Sequence, residues 1–131
     1  MKSYHITIDT KALKGSNPLD CTLHLEKIPA YFKRIGLKSV VINESPLSSL
    51  KNIFVHCDIL NKDDNIFNGS ESDILGIITN KKYMYYQFEN CSYKIIKSNF
   101  TSLRIFITDC QNNAGNVFGI NSIIYELELI E

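Results

Sequence analysis

The segment Ser102–Thr108 reads SLRIFIT, and the segment Ile123–Leu129 reads IIYELEL. In both, apolar residues recur at every second position: Leu103, Ile105 and Ile107, then Ile123, Tyr125, Leu127 and Leu129. Successive side chains of a β-strand point to opposite faces, so this period places one apolar set on one face. The two segments predict two long antiparallel strands with one apolar face each, separated by a turn over Asp109–Asn116.

Strand-like segments recur along the rest of the chain. They are Tyr4–Asp9, Cys21–Glu26, Ile35–Ile42, Ile53–Leu60, Ile74–Thr79, Tyr83–Phe88 and Tyr93–Ile96. Segments rich in turn-forming residues predict loops at Lys11–Asp20, Asn43–Lys51, Asn61–Glu71 and Cys110–Asn116, and a hairpin turn at Asn80–Lys82. The segment Ile53–Leu60 is apolar on both faces, which is typical of a strand covered on each side.

The strand count and the length predict one all-β domain. About eight or nine strands separated by turns, with no convincing amphipathic helix, indicate a β-sandwich or barrel. The chain has 131 residues, which fits a single domain over residues 1–131. Its content of 44% hydrophobic and 21% charged residues is ordinary for a globular protein and excludes a disordered one.

Charge and cysteine spacing exclude several classes of function. Fourteen basic and fourteen acidic residues cancel, which argues against nucleic acid as a partner, since duplex binding neutralises several phosphates at once. Cys21, Cys57, Cys91 and Cys110 form no C-x-x-C pair, so the sequence predicts no metal site. The chain begins MKSYH without an apolar signal segment, and we expect reduced thiols. The apolar runs are too short for a membrane span, which predicts a soluble protein.

The histidines and cysteines show no catalytic pattern. His5, His24 and His56 lie on three different predicted strands, without an H-x-H or H-E-x-x-H arrangement. His5 and His24 fall on polar faces and are expected in solvent, whereas His56 lies on the strand that is apolar on both sides. A cysteine hydrolase with Cys57 as nucleophile and His24 or His56 as base is conceivable, but buried cysteine is usually inert. We expect no catalytic residue, no cofactor and no metal.

Two other groups of residues invite a binding hypothesis. The acidic residues Asp58, Asp63, Asp64, Glu71 and Asp73 lack the spacing of a calcium loop, and a solvated loop is the simpler interpretation. An aromatic cluster consists of Tyr83, Tyr85, Tyr86 and Phe88. On an alternating strand half of these would be core, and an exposed half would favour a protein interface over nucleic acid.

Four segments in order resemble a known family. They are Asn52–Leu60 (NIFVHCDIL), Ser72–Ile78 (SDILGII), Phe100–Asp109 (FTSLRIFITD), and Phe118–Gly119 with the final apolar strand. They look like the single jelly-roll proteins of polinton-type transposons, virophages and related double-stranded DNA viruses. In that family an I-Y-V-Y-C-D-I strand precedes an L-L-R strand, an I-x-I-x-I-x-D strand and a closing strand. Cys57-Asp58 and Asp109 are the sharpest matches.

The resemblance implies a single jelly-roll β-sandwich of about eight antiparallel strands and a structural role. The family's members resemble penton (vertex) or minor capsid proteins, which act through contacts between subunits. The implied partners are copies of the chain itself, with a pentamer favoured, and a major capsid protein. The implied location is the virion, assembled inside the host cell. Asp58 and Asp109 would then end strands or cap turns rather than catalyse.

Other classes stay open at this point. A jelly-roll binding module, such as a lectin-like domain, a receptor-binding knob or a trimeric cytokine-like domain, shares the strand pattern. An enzyme or small-ligand barrel is a third class, and a reactive Cys57 would be its sign. Assembly state and glycan binding distinguish the first two classes.

Overall fold

The computed structural model describes residues 2–13, 17, 19–25, 32–44, 52–79, 85–87, 92–97, 100–108 and 120–131. These residues form eleven β-strands and one 3₁₀ turn at Lys62–Asp64. The strands are β1 (Ser3–Asp9), β2 (Asp20–His24), β3 (Arg34–Glu44), β4 (Asn52–Cys57), β5 (Ile66–Phe67), β6 (Ser70–Glu71), β7 (Ile74–Thr79), β8 (Tyr85–Gln87), β9 (Lys94–Ile95), β10 (Ser102–Thr108) and β11 (Ile120–Ile130). None of the described residues forms a helix with the length and apolar character that a membrane span requires.

Nine of these eleven strands pair into two antiparallel sheets that pack face to face. One sheet has the order β1-β11-β3-β8, with β9 also pairing with β3, and the other has the order β2-β10-β4-β7. Among the eight strands longer than two residues, the first pairs with the last, the second with the seventh, the third with the sixth and the fourth with the fifth. This is the jelly-roll order, a long antiparallel hairpin wound into a sandwich. The predicted all-β sandwich is therefore confirmed.

Two expectations about neighbouring strands need correction. The predicted hairpin between Ile74–Thr79 and Tyr83–Phe88 is wrong, because β7 pairs with β4 while β8 pairs with β3 in the other sheet. The two long strands β10 and β11 are confirmed, but they too lie in different sheets. Alternation shows which face of a strand is apolar, but it does not show which strands pair. Turn residues follow a strand both in a hairpin and in a crossing to the other sheet.

The core fills the space between the two sheets. Most of its largest fully buried side chains come from the central strands, and they include Leu103, Ile105, Ile107, Ile123, Tyr125, Leu127 and Leu129. Full burial of an Ile or Leu side chain stabilises a fold by about 1.5–3 kcal/mol. The alternating apolar residues of β10 and β11 are thus among those that hold the two sheets together.

The predicted exposed loop over 61–71 is partly wrong. After β4 ends at Cys57, the connector (residues 58–73) contains the 3₁₀ turn and a small hairpin in which Ile66 pairs with Glu71 and Phe67 with Ser70. The hairpin turn is Asn68-Gly69, with φ of +49° and +81°. Type I′ hairpin turns require positive φ at both central residues and favour Asn-Gly. That dipeptide is therefore the local reason why the segment folds back on itself.

The other predicted loops are described only in part. In Lys11–Asp20 the described residues include the backbone bridge between Asn17 and Asp20. β3 continues to Glu44, two residues beyond its predicted end, and the rest of the loop over Asn43–Lys51 lies outside the described residues. The predicted loop Cys110–Asn116 also lies outside them.

Candidate functional site

The outward face of β4 carries aromatic and polar side chains beneath the connector. Phe54 and His56 point away from the core, because Val55 and Cys57, which alternate with them, fill it. Phe54 is nevertheless buried, since Phe67 of β5 packs against it edge-on with ring centroids 5.4 Å apart. The connector thus covers this face of the sheet, which explains why the β4 segment is apolar on both sides.

His56 has a hydrogen-bond partner at each ring nitrogen. Nδ1 lies 2.7 Å from Oδ1 of Asp73, the last residue of the connector, and Nε2 lies 2.7 Å from Oγ1 of Thr108 at the end of β10. A carboxylate only accepts hydrogen bonds, so Nδ1 donates to Asp73. Nε2 accepts a hydrogen bond from the Thr108 hydroxyl when the imidazole is neutral and donates one to it when the ring is protonated. We call these three residues the His56 clamp.

Phe106 and Arg104 of β10 fix the plane of the imidazole. Phe106 lies directly opposite His56 in the strand pair, and the two rings stack with centroids 4.5 Å apart and planes 4° apart. The Arg104 guanidinium carbon lies 4.4 Å from the centroid of the same Phe106 ring. Asp20 of β2 accepts two hydrogen bonds from Arg104, at 2.9 and 2.7 Å. The clamp is therefore supported on its sheet side by three neighbouring strands.

The electrostatics of Asp73 follow from its contact with His56. The pKa of Asp73 is lowered, mainly because its carboxylate accepts the hydrogen bond from His56; partial burial opposes this shift, and the charges of His56 and Lys62 add to it. The Asp73 backbone is held as well, because its carbonyl oxygen accepts a hydrogen bond from the Cys57 amide at 2.9 Å. The end of the connector is thus fixed by both side chain and backbone.

A cleft of about 320 Å³ opens between the connector and the sheet. His56, Phe106 and Thr108 line it from the sheet, and residues of the connector line the other side: Phe67, Ser70, Glu71, Ser72 and Asp73. The clamp therefore lies at the base of a surface cleft of mixed polar and apolar character.

The clamp has the hydrogen-bond contacts of a catalytic triad, but two of its three residues are buried. Thr108, His56 and Asp73 stand in the order of a nucleophile, a general base and an orienting carboxylate. A nucleophile must reach its substrate, yet Thr108 and His56 are each only 4% exposed. A buried imidazole also needs hydrogen-bond partners for purely structural reasons. The arrangement ties the connector to β4 and β10.

Sequence reasoning found only part of this cluster. It left His56 as the ambiguous histidine, placed Asp73 among the residues of an acidic loop and did not single out Thr108. One signal was present in the sequence, because a histidine in a strand covered on both faces must find polar partners. Which residues supply them depends on the packing of the connector, which alternation does not encode.

The two described cysteines are buried free thiols. Burial raises the pKa of Cys57 to about 12 and that of Cys21 to about 11. The thiolate is the nucleophilic form of cysteine, so neither side chain is activated. Both lie opposite Ile105 in the two strands that flank β10. They are thus two strand spacings apart, about 9.5 Å, which exceeds the Cα separation of about 7 Å that a disulfide tolerates. Cys91 and Cys110 lie outside the described residues.

The remaining candidates from the sequence do not converge on one site. His5 and His24 are exposed, as expected, on β1 and β2 in different sheets. Asp63 and Asp64 belong to the 3₁₀ turn and are also exposed. Across the described ranges, no group of three or more His, Cys, Asp or Glu side chains could hold a metal ion.

Asp58 forms two hydrogen bonds with the Arg104 backbone just after β4 ends. Its Oδ1 accepts a hydrogen bond from the Arg104 amide at 2.8 Å, and its own amide donates to the Arg104 carbonyl at 3.1 Å. The residue thus continues the pairing with β10 where β4 ends. Asp109 lies outside the described residues. Of the aromatic cluster, Tyr85 and Tyr86 lie in β8 at a sheet edge, while Tyr83 and Phe88 lie outside the described residues.

Comparison with known proteins gives structural similarities at low sequence identity. No family model matches the chain, and no curated protein matches it. One similar solved structure is the Drosophila NLP core, described in terms of pentamer formation and histone binding; it has a TM-score of 0.42 at 8% identity over 98% of both chains. Another is tomato aspermy virus, with a TM-score of 0.27 at 12% identity over 97% of this chain and 76% of that chain. At these values neither structure assigns the chain to a family.

Proposed function

We propose that this chain is a structural protein of a virus capsid, of the penton-like or minor type, that acts through contacts between subunits. Its partners are copies of itself, with a pentamer favoured, and a major capsid protein, and its place is the virion. The proposal assigns it no catalytic role, no cofactor and no specific binding of nucleic acid.

One observation carries the proposal, namely where the family-like segments lie in the fold. NIFVHCDIL contains β4, SDILGII contains most of β7, and FTSLRIFITD contains β10. The final apolar strand is β11. These strands occupy the fourth, fifth, seventh and eighth positions of a jelly roll. The segments that resemble the family thus fall on strands of the fold that the resemblance implies.

The chemistry of the described residues agrees with a role in packing. Asp58, one of the sharpest matches, hydrogen-bonds to the Arg104 backbone. His56 and Thr108 are enclosed beneath the connector, and the Cys57 thiol is protonated at neutral pH because burial raises its pKa to about 12. A formal net charge of zero keeps electrostatic repulsion between assembled copies small.

The solution mass of the purified chain tests the proposal. Analytical ultracentrifugation over a range of protein and salt concentrations should give a closed species of five times the 15.0 kDa monomer mass. A ring of copies requires surfaces that close after a fixed rotation, which five subunits achieve at a vertex. A stable trimer would indicate a receptor-binding knob or a cytokine-like module, and a strict monomer would contradict assembly through self-contacts.

A further inference from the structure

Four large apolar side chains are exposed among the described residues. Ile77 of β7 is 42% exposed, Ile95 of β9 is 41% exposed and Ile66 of β5 is 64% exposed. Tyr4 of β1 is 42% exposed. Large apolar groups in solvent often mark a surface that another molecule covers, particularly when several lie together.

The sheet order defines two sides of the sandwich. β7 is an edge strand of one sheet, whereas β8 and β9 lie along the free edge of β3 in the other. These edges adjoin, because Lys94 of β9 donates from Nζ to the Ile74 carbonyl oxygen of β7 at 2.7 Å. The opposite edges of the two sheets are β1 and β2. We name the first side the β7 flank (β7, β8 and β9) and the second the β1 flank (β1 and β2).

The β7 flank contains a cleft of about 270 Å³. Leu37, Leu75 and Ile77 contribute apolar walls, Phe67 of the connector closes one side, and Lys94 lines it too. A cavity of about 150 Å³ is enough to take up benzene. The cleft therefore has room for one aromatic ring, with the Lys94 ammonium available for a cation–π contact or a hydrogen bond to a phenol.

The β1 flank offers such a ring. Tyr4 packs against Phe32 with ring centroids 5.9 Å apart and planes inclined at 48°, so its position is fixed while part of the ring faces solvent. An ordered tyrosine brings a large apolar area and a polar tip, and tyrosine is enriched at protein interfaces. The two flanks thus carry features that fit one another, a partly exposed aromatic ring and a cleft with apolar walls.

We infer that copies of this chain join head to tail, with Tyr4 on the β1 flank of one copy docked in the cleft beside Ile77 on the β7 flank of the next. This inference rests on the proposed function, since it names the surfaces through which the chain assembles. Two different surfaces meet, so the contact is heterologous and closes into a ring when the rotation allows. It also places the edge strand β1 of one copy beside the edge strand β7 of the next, and edge strands that stay uncovered invite aggregation.

The test uses two variants that each damage one flank. Tyr4→Glu and Ile77→Glu place a carboxylate in the contact while leaving the other flank intact. Each variant alone is expected to sediment as a monomer where the wild type is assembled. Mixed in equal amounts, they should form a one-to-one heterodimer and nothing larger, because the β1 flank of the Ile77→Glu copy still fits the β7 flank of the Tyr4→Glu copy. The heterodimer itself demonstrates that both variants are folded.

A matched control lies between the flanks. Glu126 is exposed on the outward face of β11, and Glu126→Lys should assemble like the wild type. A mixture that stays monomeric, or a Tyr4→Glu variant that assembles by itself, overturns the head-to-tail contact. An assembled wild type whose mass survives both changes overturns this contact and leaves the proposed function standing. A monomeric wild type overturns the proposed function.

Discussion

The two outward faces of the sandwich each carry a histidine paired with a carboxylate, and the two pairs differ in how deeply they are buried. On the sheet that contains β4, His56 and Asp73 lie 2.7 Å apart, with side chains 5% and 22% exposed. On the sheet that contains β1, His5 and Glu128 lie 3.2 Å apart, with side chains 69% and 15% exposed. The connector covers the first pair, while solvent reaches the second. The same chemistry is therefore expected to stabilise the fold by different amounts, since charges interact more strongly away from water.

The two pairs also differ in what remains when the histidine is removed. Glu128 accepts a hydrogen bond from the Tyr93 hydroxyl, and Lys38 Nζ donates to that hydroxyl at 3.4 Å. Glu128 therefore keeps a partner without His5. Removal of His56 takes the imidazole from Asp73 and Thr108 at once and leaves a gap beside Phe106. His56 and Asp73 are therefore part of the packing beneath the connector, whereas His5 and Glu128 form a pair on the surface.

The largest effect is expected for His56→Ala. This change removes two hydrogen bonds and the stacking on Phe106 and opens a cavity under the connector, so it should lower the free energy of unfolding by about 3 kcal/mol. Urea denaturation followed by circular dichroism measures the loss. His24→Ala, on an exposed strand position, serves as the control and should change little. Equal effects of the two substitutions would contradict a packing role for the clamp.

A smaller loss is expected for Thr108→Val, which keeps the side-chain shape but removes the hydroxyl. The buried Nε2 of His56 then lacks its partner, and the free energy of unfolding should fall by about 1.5 kcal/mol. Thr108→Ser restores a hydroxyl and should recover part of the loss. Identical stabilities of the Val and Ser variants would mean that the contact at Nε2 contributes nothing.

Asp73→Asn tests the charge of the clamp through its pH dependence. The folded-state pKa of Asp73 is lowered, chiefly by the hydrogen bond from His56. The wild type should therefore exceed the variant by about 1 kcal/mol above the unfolded pKa of about 3.9. This advantage should disappear as the pH falls through the lower folded-state value. Denaturation over a pH series from neutral downwards measures the decline, and a difference that does not change with pH would exclude the charge as its source.

The same comparison explains why the sequence predicts the alternating strands better than the covered β4 segment. β1, β10 and β11 each carry apolar residues at every second position on the face that packs into the core, and those faces were predicted correctly. The β4 segment is apolar on both faces, which indicated that the strand is covered but not which segment covers it. The cover depends on the Asn68-Gly69 turn and on Phe67 packing against Phe54, a contact between segments that lie apart in the chain.

The pairing of the strands shows the same limit. The turn residues after β7 predicted a hairpin, yet the chain crosses to the other sheet, because burial of both apolar faces requires a sandwich rather than one extended sheet. The clamp was missed for a related reason. His56, Asp73 and Thr108 lie on β4, on the connector and on β10, and only the folded connector brings the carboxylate to the ring.

The smallest effect is expected for His5→Ala on the exposed face. Its side chain is 69% exposed, Glu128 keeps the Tyr93 hydroxyl, and surface pairs of this kind contribute less than about 0.5 kcal/mol. Whatever contribution remains should vanish at high salt, because exposed charges are screened over about 8 Å at physiological ionic strength. Urea denaturation of the variant and the wild type at low and high salt measures it. A loss as large as that of His56→Ala would mean that burial does not separate the two pairs, and that the outward face of β1 and β11 is covered in solution.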